Sequence, residues 1–146
     1  MNYSRLAMAA VAAWIVDGIY GFIVYGNLLT SQFAAHPGVF RAADAQGPFM
    51  PVMFGGILVG MFVAVAIYAK GYEGGGGIGE GLRFGLLIGL FNASYVWCVD
   101  YAILNIGGQM AASMACAAIG EWALVGIVVG LVYRPSVPAS RDGHKV

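Results

Sequence analysis

Two acidic residues, Asp17 and Glu121, lie near the middle of two long apolar stretches of this chain. The first stretch runs from Leu6 to Leu29 and the second from Gln109 to Tyr133. A carboxylate at the centre of a bilayer costs about 2.5–3.5 kcal/mol on insertion scales, so acids at that depth usually serve a function. No Lys, Arg or His stands at a comparable position in either stretch to neutralise them.

The chemistry that such a pair supports is the binding of a proton or a cation. A medium of low dielectric constant favours the neutral carboxyl, and two neighbouring carboxyls can hold one proton between them. Two other interpretations remain open. The acids are hydrogen-bonded contacts between helices, or they pair with a basic residue of another subunit.

Three further polar residues are candidates for the same site. Asn92 lies near the midpoint of another apolar stretch, and Tyr20 and Tyr95 follow Asp17 and Asn92 by three residues each. We expect Asp17, Asn92 and Glu121 to converge at mid-membrane depth, with the two tyrosines adding hydroxyl groups. These five residues form the predicted ligand- or proton-binding site.

Other kinds of chemistry have little support in the sequence. Cys98 and Cys116 do not form a C-x-x-C motif, so we predict no redox or metal site, and whether the two pair stays open. We find no nucleophile with a neighbouring base, which disfavours an enzyme but leaves that class open; the sequence indicates no particular cofactor. The formal net charge is zero, which argues against a nucleic-acid partner.

The elements that position the acids are predicted to be transmembrane helices. The chain is 60% hydrophobic and 10% charged, whereas soluble domains carry about 25% charged residues. Four apolar runs have the length that a bilayer requires: Leu6–Leu29, Phe49–Tyr68, Leu82–Ile103 and Gln109–Tyr133. We expect an all-α, integral membrane four-helix bundle over residues 1–134 and a disordered cytoplasmic tail over residues 135–146.

Charge and loop length predict the topology. The basic residues on the side of both termini and the second loop are Arg5, Lys70, Arg83, Arg134, Arg141 and Lys145, and only Arg41 is on the other side. Cytoplasmic loops carry the excess of Lys and Arg, so both termini should be cytoplasmic. The third loop, Asn105–Gly108, is short enough to require an antiparallel hairpin. Tyr25 is expected at the outer interface, and few cysteines and short loops fit a bacterial inner membrane.

Small residues predict how the helices pack, because lipid supplies no hydrophobic drive for their association. GxxxG spacings occur at Gly56 and Gly60, at Gly81, Gly85 and Gly89, and at Gly126 and Gly130. On the first stretch Ala10, Ala13 and Asp17 share a helical face, so Asp17 should point toward protein. The segment Gly71–Gly81 is expected to be a flexible hinge.

Three classes of function remain. The first is an oligomeric carrier-like or ligand-binding protein that uses Asp17 and Glu121 to hold a proton or cation together with a small molecule. Four short spans barely enclose a pathway, so this reading implies a homo-oligomer. The second is a non-catalytic accessory subunit of a larger membrane complex, and the third is a membrane enzyme that binds lipid or quinone. We favour the first because uncompensated acids at mid-membrane depth are functional by default.

Overall fold

The chain folds as a set of long helices without strands over residues 1–74 and 77–134, which the computed structural model describes. Four of the helices are long and apolar enough to cross a membrane. These are the first span Tyr3–Leu28, the second Gly47–Lys70, the third Ile78–Ile103 and the fourth Gly108–Val132. The all-α prediction and the four apolar spans are confirmed, whereas the predicted tail over residues 135–146 lies outside the described residues.

The first and third spans contain π-helical segments. The first is α-helical over Tyr3–Ile23 and continues as a π-helix over Val24–Leu28. The third is α-helical over Ile78–Tyr95, π-helical over Val96–Asp100 and α-helical again over Tyr101–Ile103. Widened turns of this kind are rare and occur frequently at functional sites. The sequence analysis did not anticipate either one.

The helix ends follow ordinary rules of capping. Asn2 caps the first span, since its side-chain oxygen accepts a hydrogen bond from the Arg5 amide at 3.1 Å. The second span is α-helical over Met50–Lys70 after the 3-10 turn Gly47–Phe49, and Pro48 and Pro51 stand where no intrahelical donor is needed. The fourth span is α-helical throughout Gly108–Val132.

Small side chains face the interior and large apolar ones face outward. On the first span Ala9, Ala10 and Ala13 are fully buried, whereas Ile19 and Phe22 are exposed. This distribution suits helices surrounded by lipid, where close packing rather than removal of large side chains from water holds the helices together.

The first span is central to the arrangement. It packs against the second and the fourth spans, and the fourth packs in turn against the third. The main core contains buried residues from the first, second and fourth spans, namely Leu6, Ala9, Ala10, Ala13, Met61, Val65, Tyr68, Val125, Val129 and Tyr133.

The third and fourth spans meet through their glycines at the distance of backbone contact. A Cβ atom added to Gly126 would lie only 2.6 Å from Gly85 Cα. Gly81 lies close to Gly126 and Gly130 of the fourth span. Gly89, about two turns later on the third span, lies close to Ile119 and Trp122. The third span begins at Ile78, four residues before the predicted Leu82.

Residues 75 and 76 of the predicted hinge Gly71–Gly81 lie outside the described residues, and its last four residues are helical. Gly77 has a φ of 84°, in the left-handed region that favours glycine, and its amide donates to the Gly130 carbonyl at 3.0 Å. The helix starts immediately afterwards, so Gly79 and Gly81 are helical. In contrast, a Cβ atom at Gly56 or Gly60 would meet nothing within 4 Å among the described residues, so this GxxxG spacing is not at a close backbone contact there.

The first loop folds back onto the start of the fourth span. It contains the helix Thr30–Ala34 and a 3-10 turn at Ala43–Ala45. Its apolar side chains Phe33, Val39 and Phe40 pack against a second buried cluster formed by Ile106, Met110 and Ala111. We call this end of the molecule the loop face.

The opposite end brings together the start of the first span and the end of the fourth. The Arg5 guanidinium donates to the Arg134 carbonyl, and the Asn2 amide lies 3.4 Å from the Tyr133 hydroxyl. Rings of Tyr68, Tyr72, Phe84 and Tyr133 pack edge to face at centroid distances of 5.3–6.1 Å. We call this end the terminal face and these four residues the ring cluster.

Candidate proton-binding site

Asp17 and Glu121 come together between the first and fourth spans. Asp17 is only 6% exposed, and within residues 1–74 and 77–134 no other charged side chain is buried. Glu121 is half-buried, and its carboxyl lies within hydrogen-bonding range of the Asp17 carboxyl. We call these two residues the carboxyl pair.

The contact between the two acids has a direct chemical consequence. An ionised carboxylate offers only acceptor oxygens, so two ionised carboxylates cannot form a hydrogen bond with each other. A hydrogen bond in this geometry requires a proton on one of the two groups. The carboxyl pair is therefore arranged to hold a proton.

Two tyrosines of the first span complete the polar cluster. The Tyr25 hydroxyl donates to Glu121 Oε2 at 3.0 Å, and the Tyr20 hydroxyl donates to the Ala117 carbonyl at 2.8 Å. Their rings pack edge to face with centroids 6.3 Å apart. At about 100° per residue, Tyr20 lies about 60° to one side of Asp17 around the α-helix, and Tyr25 stands in the π-helical segment that follows. Both phenols therefore lie beside Glu121.

Small residues on the fourth span make room for this cluster. Ala117 and Ala118 are buried, and their small side chains allow the first and fourth spans to lie close together. A Cβ atom at Gly120 would lie 2.8 Å from the Tyr20 hydroxyl oxygen. Glycine at this position therefore allows the Tyr20 side chain to reach across the fourth span.

The structure does not bring Asn92 or Tyr95 to the carboxyl pair. Asn92 is half-buried and makes no hydrogen bond to Asp17 or Glu121, and Tyr95 is 62% exposed. The reason is that the third span packs on a different face of the fourth. Gly89 meets Ile119 and Trp122, whereas Glu121 faces the first span.

Tyr25 is the site residue that the sequence analysis assigned to another role. An aromatic residue near the end of a transmembrane helix is typical of the interfacial belt, and that pattern placed Tyr25 at the outer interface. Its actual position depends on the helical geometry after Ile23. Tyr25 stands in the π-helical segment Val24–Leu28, where its ring contacts that of Tyr20, and nothing in the sequence indicated that segment.

The remaining reactive groups lie away from the carboxyl pair. Cys98 and Cys116 are free and exposed on the helix surfaces. Over the described ranges no group of three or more His, Cys, Asp or Glu side chains is placed to hold a metal ion. Arg83 and Glu73 form an exposed ion pair at 2.5 Å near the terminal face.

The fold and the site define an all-α integral membrane protein with a pair of acids in contact at mid-span. Comparison with protein-family models, curated proteins and solved structures gives no match to this chain. The functional inference therefore rests on the residues and the geometry described above.

Proposed function

We propose that this protein is a carrier-like membrane protein that binds a proton at mid-membrane depth on Asp17 and Glu121 and couples it to a small molecule. The observation that carries this proposal is the contact between the two carboxyl groups, which needs a proton to form a hydrogen bond. A site that holds a proton at this depth can load it, release it and so drive a second binding event.

The surroundings of the carboxyl pair support reversible binding rather than a fixed contact between helices. Tyr25 donates to Glu121 Oε2, so a donor remains for Glu121 when the shared proton leaves. Hydrogen bonds from neutral donors stabilise a carboxylate in a medium of low dielectric constant. Glu121 therefore has a hydrogen-bond partner in both states: the Asp17 carboxyl when the pair is protonated, and the Tyr25 hydroxyl when it is ionised.

The topology that we propose places both termini in the cytoplasm of a bacterium, with the spans joined as antiparallel hairpins across its inner membrane. The structural support is the grouping of Arg5 and Arg134 at the terminal face, since Lys and Arg concentrate on the cytoplasmic side. Arg41 belongs to the segment at the loop face. We further propose a homo-oligomer, because a bundle of four spans is small for a transport pathway.

The experiment that tests proton binding needs no knowledge of the small molecule. Vesicles that contain the purified protein are adsorbed on a solid-supported membrane, and the pH of the solution is changed rapidly. A proton that enters a site at mid-membrane depth moves charge through part of the bilayer and produces a transient current. We expect a transient from the native protein and its loss in the variants Asp17→Asn and Glu121→Gln.

Asp100→Asn is the matched control, because it changes an acid of the third span that lies outside the carboxyl pair. We expect it to keep the native transient. A full transient in the Asp17→Asn/Glu121→Gln double variant would refute the proposal. Native mass spectrometry of gently extracted protein separates the alternatives: a stable assembly with larger unrelated subunits, without a transient, would indicate an accessory subunit.

A further inference from the structure

We propose that Asn27 and Thr30 are positioning residues for the carboxyl pair, because they hold the π-helical segment that brings the Tyr25 hydroxyl to Glu121. The inference rests on the proposed proton-binding function and adds two residues that act on the pair through Tyr25. In the described chain neither side chain makes a hydrogen bond to Asp17 or Glu121.

Tyr25 links the π-helical segment Val24–Leu28 to the carboxyl pair. Its hydroxyl donates to Glu121 Oε2 at 3.0 Å, and its ring packs edge to face on that of Tyr20. The titratable groups that face Glu121 are Asp17 and these two tyrosines, all from the first span. No charged group of the second or third span interacts with it in the described part of the chain. The direction of the Tyr25 side chain therefore decides whether Glu121 keeps a second hydrogen-bond partner.

The backbone of this segment forms a wider turn than the helix before it. The Leu29 amide donates to the Val24 carbonyl at 2.8 Å, five residues earlier, whereas an α-helix bonds each amide to the carbonyl four residues earlier. A π-turn contains more residues than an α-turn, so each residue advances by a smaller angle around the axis. A return to α-helical geometry would therefore rotate Tyr25 and displace its hydroxyl, which stands at the far end of a long side chain.

Two polar side chains bind carbonyl oxygens in and next to this segment. Asn27 Nδ2 donates to the Phe22 carbonyl at 2.6 Å, again across five residues. The Thr30 hydroxyl donates to the Gly26 carbonyl at 2.6 Å and lies 3.5 Å from the Tyr25 carbonyl. Backbone polar groups at membrane depth need internal partners, and hydroxyl side chains provide them where a helix is irregular. These bonds therefore stabilise the wider turn.

A hydroxyl bonded to a regular helix provides the matched comparison. Ser94 Oγ donates to the Leu90 carbonyl at 2.8 Å within the α-helical part of the third span. This bond crosses four residues and lies on a span that does not carry Tyr25. Ser94→Ala therefore removes a bond of the same kind without a change at the π-helical segment.

The test measures the pH at which the transient current reaches half of its full amplitude, which we call the midpoint. Tyr25→Phe removes the donor to Glu121 and should shift the midpoint. Thr30→Val removes the hydroxyl, keeps the branched shape of the side chain and should shift the midpoint in the same direction. Because Thr30 acts through Tyr25, the Tyr25→Phe/Thr30→Val double variant should have the midpoint of Tyr25→Phe alone.

Three further variants complete the test. Thr30→Ser keeps a hydroxyl and should keep the native midpoint, as should Ser94→Ala. Asn27→Leu should shift the midpoint as Thr30→Val does, and it serves if Thr30→Val does not fold.

Four results would overturn the inference. They are a native midpoint in Tyr25→Phe, a native midpoint in a folded Thr30→Val or Asn27→Leu, a shifted midpoint in Thr30→Ser or Ser94→Ala, and a further shift in the double variant. A native protein that gives no transient would instead overturn the proposed proton-binding function.

Discussion

Substitution of Gly126 by alanine should weaken the contact between the third and fourth spans by an amount that the geometry sets. The added Cβ would lie 2.6 Å from Gly85 Cα and 2.7 Å from its amide nitrogen, where ordinary contact begins at 3.4 Å. The two backbones must therefore separate by about 1 Å, which forfeits a quarter to a half of the dispersion energy at each contact that opens. Overpacking of this kind typically costs about 1–3 kcal/mol.

The matched control is Gly56→Ala, because a Cβ atom at Gly56 would meet nothing within 4 Å. Both substitutions replace a glycine inside a transmembrane helix and share the same gain in helix propensity of about 0.5–1 kcal/mol. The difference in free energy of unfolding between the two variants should therefore equal the overpacking cost alone. Reversible unfolding of both variants in mixed micelles, followed by circular dichroism, measures this difference.

The result that would refute this reasoning is a Gly126→Ala protein as stable as Gly56→Ala. It would mean that the two spans are not in backbone contact at this position. A selective loss of stability in Gly56→Ala would show that the open face of the second span is covered in the native assembly.

Three other predictions concern the site and the topology. Tyr25→Phe should lower the free energy of unfolding by about 1–3 kcal/mol because Glu121 loses its hydrogen-bond donor. Tyr68→Phe should raise the free energy of unfolding, because the buried Tyr68 hydroxyl has no partner among the described residues. Thermal unfolding measures both variants, and equal effects would contradict this prediction. External protease should cleave spheroplasts after Arg41 and spare the basic residues of the terminal face, and cleavage at the terminal face would reverse the orientation. The Asp17→Asn/Glu121→Gln double variant should insert and fold normally in a membrane-integration assay, since neutral amides reduce the insertion cost; failure to fold would indicate a structural role for the acids.

The order and composition of the spans could be read from the sequence. Bilayer thickness fixes the length of an apolar helix, so four apolar runs with few charges were sufficient to predict four spans. The inward direction of Asp17 was also predictable, because Ala10 and Ala13 share its helical face and are fully buried. Periodicity within one helix is a local property, and it requires no knowledge of the neighbours.

Which residues meet across helices was decided only by the tertiary structure. Asn92 was predicted at the same depth as the acids, yet the glycine contact with Ile119 and Trp122 directs its helix to another face of the fourth span. Tyr25 reaches Glu121 because the first and fourth spans pack directly, a choice of neighbours that sequence spacing does not contain. Depth in the membrane follows from the chain itself, whereas the partner at that depth depends on the rotation and pairing of whole helices.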